Sequence, residues 1–263
     1  MISVFVASRL NGINDRPWLL DALDSVFAQQ GHAVDEVVVG LDAGVEIPQL
    51  GDARVRFVNS DGNNQAKAVT AALRECRGDI ICGLEDDDIW AANKLAVQLP
   101  WLDLGYSFVS SCVAEVHYST GDRLPNRPNA FISSWVMTRE VLDTVGAYFS
   151  DDIFYHVDIE WLGRLNEHPE LKRVHLVEPE AMPPFNVIPL LNMVGQYAHV
   201  RGVEACPLVR RAAGYMSRGM ECNIDPAGKL RLQADGEAIV RRWGAFPWLW
   251  LIGLASILGG SIG

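Results

Sequence analysis

Short apolar runs that alternate with helical stretches constrain this chain most. Glu36-Val-Val-Val-Gly-Leu41 and Ile80-Ile-Cys-Gly-Leu84 are almost wholly apolar, and Ile2–Ala7 and Val55–Val58 are β-rich runs of similar length. An unbroken apolar run belongs to a strand covered on both faces, as in a parallel sheet. Between these runs the spacing turns helical. Trp18, Leu19, Leu20, Leu23, Val26 and Phe27 follow Pro17 at helical spacing with Gly31 past the end, and Ala66–Cys76 ends near Gly78. The alternation predicts an α/β fold with an open, mostly parallel sheet flanked by helices.

Further along, the pattern predicts a helix over 91–102, a strand over 108–116, a Pro/Asn/Gly-rich loop over 119–129, and short helices over 140–145 and 159–166. Residues 186–203 read as helical and 222–234 as a hairpin around Asp225-Pro-Ala-Gly228. The organisation that follows is one domain in two halves, 1–103 and 104–185, with a helical and hairpin C-terminal extension over 186–263.

Charge and cysteine content narrow the function. With 22 basic and 33 acidic residues the net charge is −11, and no basic stripe is present, which excludes extended nucleic-acid binding. Five cysteines without CxxC spacing argue against a disulfide framework and a structural zinc site, and point to a reducing, cytoplasmic setting. The first residues lack a basic n-region and read as a strand rather than a signal peptide. Residues 245–263 contain no charge and follow Arg241-Arg242, with Phe246, Trp248 and Trp250 at the start. That arrangement resembles an anchor at the inner face of a membrane. Glycine and serine in its last turns equally suit a packed terminal helix or a partner surface.

The sharpest local feature is Glu85-Asp86-Asp87-Asp88, directly after the fourth predicted strand. Ligands bind at the carboxyl edge of open α/β sheets. Crowded carboxylates repel one another unless a cation or a shared proton is present. Hard oxygen donors select Mg²⁺ or Mn²⁺, which then coordinates phosphate. The bland reading is a solvated acidic loop whose Asp88 caps the next helix.

With these motifs in order, the chain resembles the family 2 inverting glycosyltransferases of the GT-A fold over Ile2–Glu167. The likeness rests on Ala22–Gln30, Glu36–Asp42, Arg77-Gly-Asp79, Leu84–Trp90 with Lys94-Leu95 and Gln98, Met137–Gly146 and Asp158–Leu165. It implies transfer of a sugar from a nucleoside-diphosphate donor, a UDP-sugar first among them, to a hydroxyl of a glycan or lipid-linked acceptor. The half over 1–103 would hold the donor and 104–185 the acceptor. Asp42 looks like the reader of the nucleobase, although a turn-forming aspartate before Ala43-Gly44 is the plain alternative. Asp87 resembles the ligand of a divalent metal, Mn²⁺ or Mg²⁺, with Asp88 as a less certain second, and Asp86 lies near the ribose. Asp158 resembles the general base, with Glu160 as fallback and a helix cap as the structural alternative.

Departures from the family pattern bear on the donor. Ala7-Ser-Arg-Leu-Asn-Gly12 replaces the usual first loop, so Ser8 and Arg9 become the donor-binding candidates there. Val69-Thr70 stands where Arg-Asn is customary, which leaves Lys67 as the candidate for that charge. His156, His199, Arg210-Arg211 and Arg218 are secondary candidates, and Trp135 and Trp161 suit either sugar stacking or a core. A nucleotidyl- or phosphotransferase would want a Gly-rich phosphate loop that Gly12 alone does not supply. A catalytically altered nucleotide-binding module, or a partner subunit of a glycan-assembly complex, is the alternative.

Overall fold

The structure, a computed structural model, describes residues 1–10, 15–111, 113–115, 130–149, 157–177, 196–199 and 209–211. The first half runs β1 (Ile2–Ser8), α1 (Asp15–Phe27), β2 (Glu36–Leu41), β3 (Val55–Asn59), α2 (Gln65–Glu75), β4 (Ile80–Glu85), β5 (Asp88–Trp90) and α3 (Lys94–Asp103). There follow β6 (Phe108–Ser111), β7 (Ala114–Glu115), a 3-10 turn (Ile132–Ser134), β8 (Val136–Thr138), α4 (Arg139–Val145), α5 (Val157–Asn166), β9 (Arg173–Val177), β10 (Gln196–His199) and β11 (Val209–Arg211).

The main sheet has the order β10-β9-β6-β8-β4-β1-β2-β3. Its pairs are parallel except those of β8, which runs antiparallel to both β4 and β6. The expected open, mostly parallel sheet is therefore present. As the unbroken apolar runs require, its central strands are covered on both faces. Phe5, Val38, Ile81 and Phe108 face α2, α4 and α5, while Val4, Val6, Val37, Val39 and Cys82 face α1 and α3. On the first side Trp161 stacks on Trp135 with centroids 5.0 Å apart and on Phe149 at 5.9 Å. Burial pushes the Cys76 thiol up to about 12 and the Cys82 thiol up to about 11, which leaves both unreactive.

Local chemistry sets the element ends. Asn64 caps α2, its side chain accepting from the backbone N–H of Lys67 at 2.8 Å. Gly146, at φ +93°, closes α4 in a conformation that other residues rarely adopt. The sequence reading needs correction in several places. The helix expected from residue 91 begins at Lys94 behind Asn93, because Asp88–Trp90 forms β5. The strand expected over 108–116 is broken into β6 and β7. The helix expected over 186–203 gives way at Gln196–His199 to β10, paired in parallel with β9. β8, β9, β10 and β11 are short or of mixed polarity, so pairing rather than local periodicity defines them. The loop over 119–129, the hairpin over 222–234 and the apolar tail over 245–263 lie outside the described residues. Among the described residues no helix is long and apolar enough to cross a membrane.

α2 lies so close to β2 that a Cβ on Gly40 would sit 1.9 Å from the carbonyl oxygen of Ala68. No rotamer relieves a clash with backbone. Gly40→Ala is expected to destabilise the protein by about 3 kcal/mol or more, read as a lower urea midpoint at unchanged m-value.

Candidate active site

Three adjacent strands deliver the candidate residues to one edge. Register pairs Ala7 with Glu85 and Ser8 with Leu41, so Ser8, Asp42 and the acidic run share the carboxyl ends of β1, β2 and β4. That is the ligand-binding edge of an open α/β sheet.

The acidic run forms a turn whose two ends are anchored separately. Glu85 closes β4, and its Oε1 accepts from Nε2 of Gln65 at 3.0 Å. Asp88 opens β5 and is wholly buried, its Oδ2 accepting from the Ser133 hydroxyl. The same Ser133 oxygen accepts from the backbone N–H of Glu85 at 2.9 Å. Trp90 donates its indole N–H to the Ser133 carbonyl at 2.9 Å and its backbone N–H to the Ser25 hydroxyl at 3.0 Å. Gln98 Nε2 donates to the Ser134 carbonyl at 2.8 Å. Asp88 therefore caps no helix; it is an internal post of the turn. Asp86 and Asp87 lie between the anchors, half-buried.

Among the described residues no three His, Cys, Asp or Glu side chains cluster closely enough to cage a metal. Two neighbouring carboxylates in a half-buried turn nonetheless fit Mg²⁺ or Mn²⁺, because such an ion takes one or two protein carboxylates and completes its shell with phosphate and water.

Asp42 follows β2. Its carbonyl accepts from Val45 N–H at 3.3 Å and Gly44 sits at φ +76°, so the turn that the residue type suggests does form. The side chain is a separate matter. Asp42 is 4% exposed, and among the described residues its buried Oδ1 has no hydrogen-bond partner, nor has the buried Ser8 hydroxyl. Burial pushes the Asp42 carboxyl upward, and the charge of Arg9 opposes that shift. Arg9 itself is exposed and precedes Leu10, a bulky residue at φ +51° where glycine is the usual occupant. Two buried polar atoms aimed at no protein group are what a pocket for a hydrogen-bonding ligand leaves behind.

Lys67, in the first turn of α2, pairs with Asp61 at 3.3 Å. Lys94 is fully buried, and its Nζ lies 4.1 Å from the centroid of the Trp90 ring. Asp158 occupies the first turn of α5, one turn ahead of Trp161, and does not cap that helix, which begins at Val157. Glu160, the fallback base, is 3% exposed and accepts from Nε of Arg164 at 3.1 Å and from its Nη2 at 3.0 Å. It is committed to that ion pair. Trp135 and Trp161 are fully buried and belong to the core rather than to a sugar platform. Arg210 and Arg211 stand in β11 across from Ile89 and Asp88, which brings the backbone of a C-terminal segment to the acidic turn. His199 ends β10. His156 and Arg218 lie outside the described residues.

Ser133, Gln65, Trp90 and Gln98 were not visible as site-building residues in the sequence. A Ser-Ser-Trp tripeptide carries no motif, and its bonds to the acidic turn span more than forty residues.

A mostly parallel sheet with carboxylates gathered at its carboxyl edge defines the class, a GT-A-type fold. Residues 12–153 match the family model described as glycosyl transferase family 2, and the chain belongs to that family. Among solved structures, S. aureus TarS 1-349 aligns at a TM-score of 0.51 and 12% identity, covering 92% of this chain and 80% of that one. The same protein in complex with UDP aligns at 0.49 and 15% identity, covering 62% of this chain and 54% of that one. The chain thus spans about half the length of that complex. At such identity the likeness shows the fold alone. A search of curated proteins returns no match.

Burial lowers the Lys94 amine to about 8. The unfolded chain therefore binds the extra proton from about pH 8 to the ordinary lysine range, and this group makes stability rise with pH across that window. Its contribution is on the order of 3 kcal/mol. Lys94→Met is expected to flatten the rise, read as the difference between wild-type and variant urea stabilities at pH 7 and pH 10.

Proposed function

We propose that this family 2 glycosyltransferase moves a sugar, with inversion, from a nucleoside-diphosphate donor to a hydroxyl of a glycan or lipid-linked acceptor. The observation that carries the reading is the shared sheet edge, where the unpartnered Asp42 Oδ1 and Ser8 hydroxyl lie beside an anchored acidic turn. An ionised Asp42 accepts an N–H from the base, and Ser8 can donate to a base or ribose oxygen. UDP, the nucleotide in the TarS complex, is the first to try.

Asp87 holds the divalent ion with Asp86 beside it and near the ribose. When bound, Mn²⁺ or Mg²⁺ neutralises charge on the departing diphosphate without a proton. Asp88, the less certain second ligand, also fixes the turn through Ser133. Arg9 adds positive charge near Asp42, and Lys67 supplies a second cation from the first turn of α2. Asp158 takes the proton of the attacking hydroxyl. Its place in the first turn of α5 favours the charged form, since a helix N-terminus stabilises a negative side chain. One base facing away from the leaving group gives in-line attack, and hence inversion.

Calorimetry with UDP and Mn²⁺, followed by assay of nucleoside-diphosphate release with and without acceptors, tests the reading. Asp87→Asn is expected to weaken metal-dependent UDP binding at least about tenfold, whereas Asp158→Asn should cut turnover by roughly 10²–10⁴ and leave UDP affinity nearly intact. Binding with no turnover on any acceptor would favour the module instead.

Acidity supplies a further check. As pH falls, Asp42 protonates before an ordinary aspartate and loses its N–H acceptor, so UDP affinity should drop. Arg9→Ala removes the opposing charge, and the drop should begin at higher pH. An unchanged binding profile in that variant would contradict the assignment.

A further inference from the structure

The acidic turn owes its shape to one hydroxyl. Ser133 is fully buried, and its single proton goes to Asp88 Oδ2 while its oxygen receives the Glu85 N–H. One side chain thereby ties together the first and last members of the four-residue acidic run and leaves Asp86 and Asp87 as the arc between them. The carbonyl of Ser133 is held in turn by the Trp90 indole, and Ser134 by Gln98. The hydroxyl is thus delivered from a turn that is itself fastened on both sides.

We propose that Ser133 is a positioning residue for donor binding, setting the separation and aim of the Asp86 and Asp87 carboxylates. The proposal rests on the reading of this edge as the donor site. Ser133 acts through the turn and touches neither donor nor acceptor. Its loss should therefore appear in metal-dependent nucleotide affinity rather than only in stability.

The fold supplies a matched control at the opposite edge. Ser3 is equally buried, donates to a carboxylate (Glu36 Oε1, 2.6 Å) and accepts from a backbone N–H (Gly78, 2.7 Å), but at the amino end of β1. Removing the Ser133 hydroxyl takes a partner from both Asp88 Oδ2 and the Glu85 N–H; removing the Ser3 hydroxyl takes one from the Gly78 N–H while Glu36 Oε1 keeps the Arg77 N–H at 2.6 Å, so both variants lose stability.

The experiment measures UDP binding to the full chain with and without Mn²⁺ for the wild type, Ser133→Ala, Ser133→Cys and Ser3→Ala, with Tm recorded for each. Ser133→Ala is expected to weaken Mn²⁺-dependent UDP binding about tenfold or more, while Ser3→Ala also lowers Tm but keeps the wild-type affinity. Ser133→Cys, a weak donor of nearly the same shape, should fall between wild type and alanine and serves if the alanine variant does not fold. Equal affinities in Ser133→Ala and Ser3→Ala, or a Ser133→Cys variant that binds as wild type, would overturn the positioning role. Absence of metal-dependent UDP binding in the wild type would overturn the donor reading itself, which is a separate result.

Discussion

Like charges packed at the end of a buried strand are the constraint on which this architecture depends. A parallel sheet needs apolar strands, yet its carboxyl edge is where open α/β sheets meet their ligands. The acidic run stands at that boundary. The structure resolves the conflict by giving the outer members of the run their own partners, Gln65 for Glu85 and Ser133 for Asp88. Those anchors fix the shape of the turn that carries the two inner carboxylates, Asp86 and Asp87.

The same division of labour appears next door. At Asp42 the backbone completes an ordinary turn with Val45, while Oδ1 remains buried without a partner. The fold thus accepts the cost of an unsatisfied polar atom beside the nucleotide edge, whereas Glu36 and Glu160 at other buried positions are paired with arginines.

Much of this was legible in the sequence, for identifiable reasons. β1, β2 and β4 are buried on both faces, so their apolar runs are unmistakable, and the acidic run at the end of β4 stands out against them. Asp42, Asp87 and Asp158 are proposed from family likeness, and their order along the chain carries that signal. The elements that escaped are those defined by pairing. β5 is three residues of mixed polarity, and β8 is a three-residue strand inserted antiparallel between parallel neighbours. The helix-cap reading of Asp88 failed for the same reason, since its hydrogen-bond partner lies forty-five residues ahead on a 3-10 turn without periodicity.

The direction of β8 has a consequence of its own. In a parallel strand the chain reaches the carboxyl edge on leaving the sheet, but β8 arrives from that edge and then enters. The residues just before it, Ile132–Ser134, are therefore delivered over the acidic turn while Val136, held between Cys82 and Val109, fixes their height. The acidic turn at the end of β4 is thus fastened from the strand beside it rather than from its own, and the two strands are locked together at the edge as well as along their ladder.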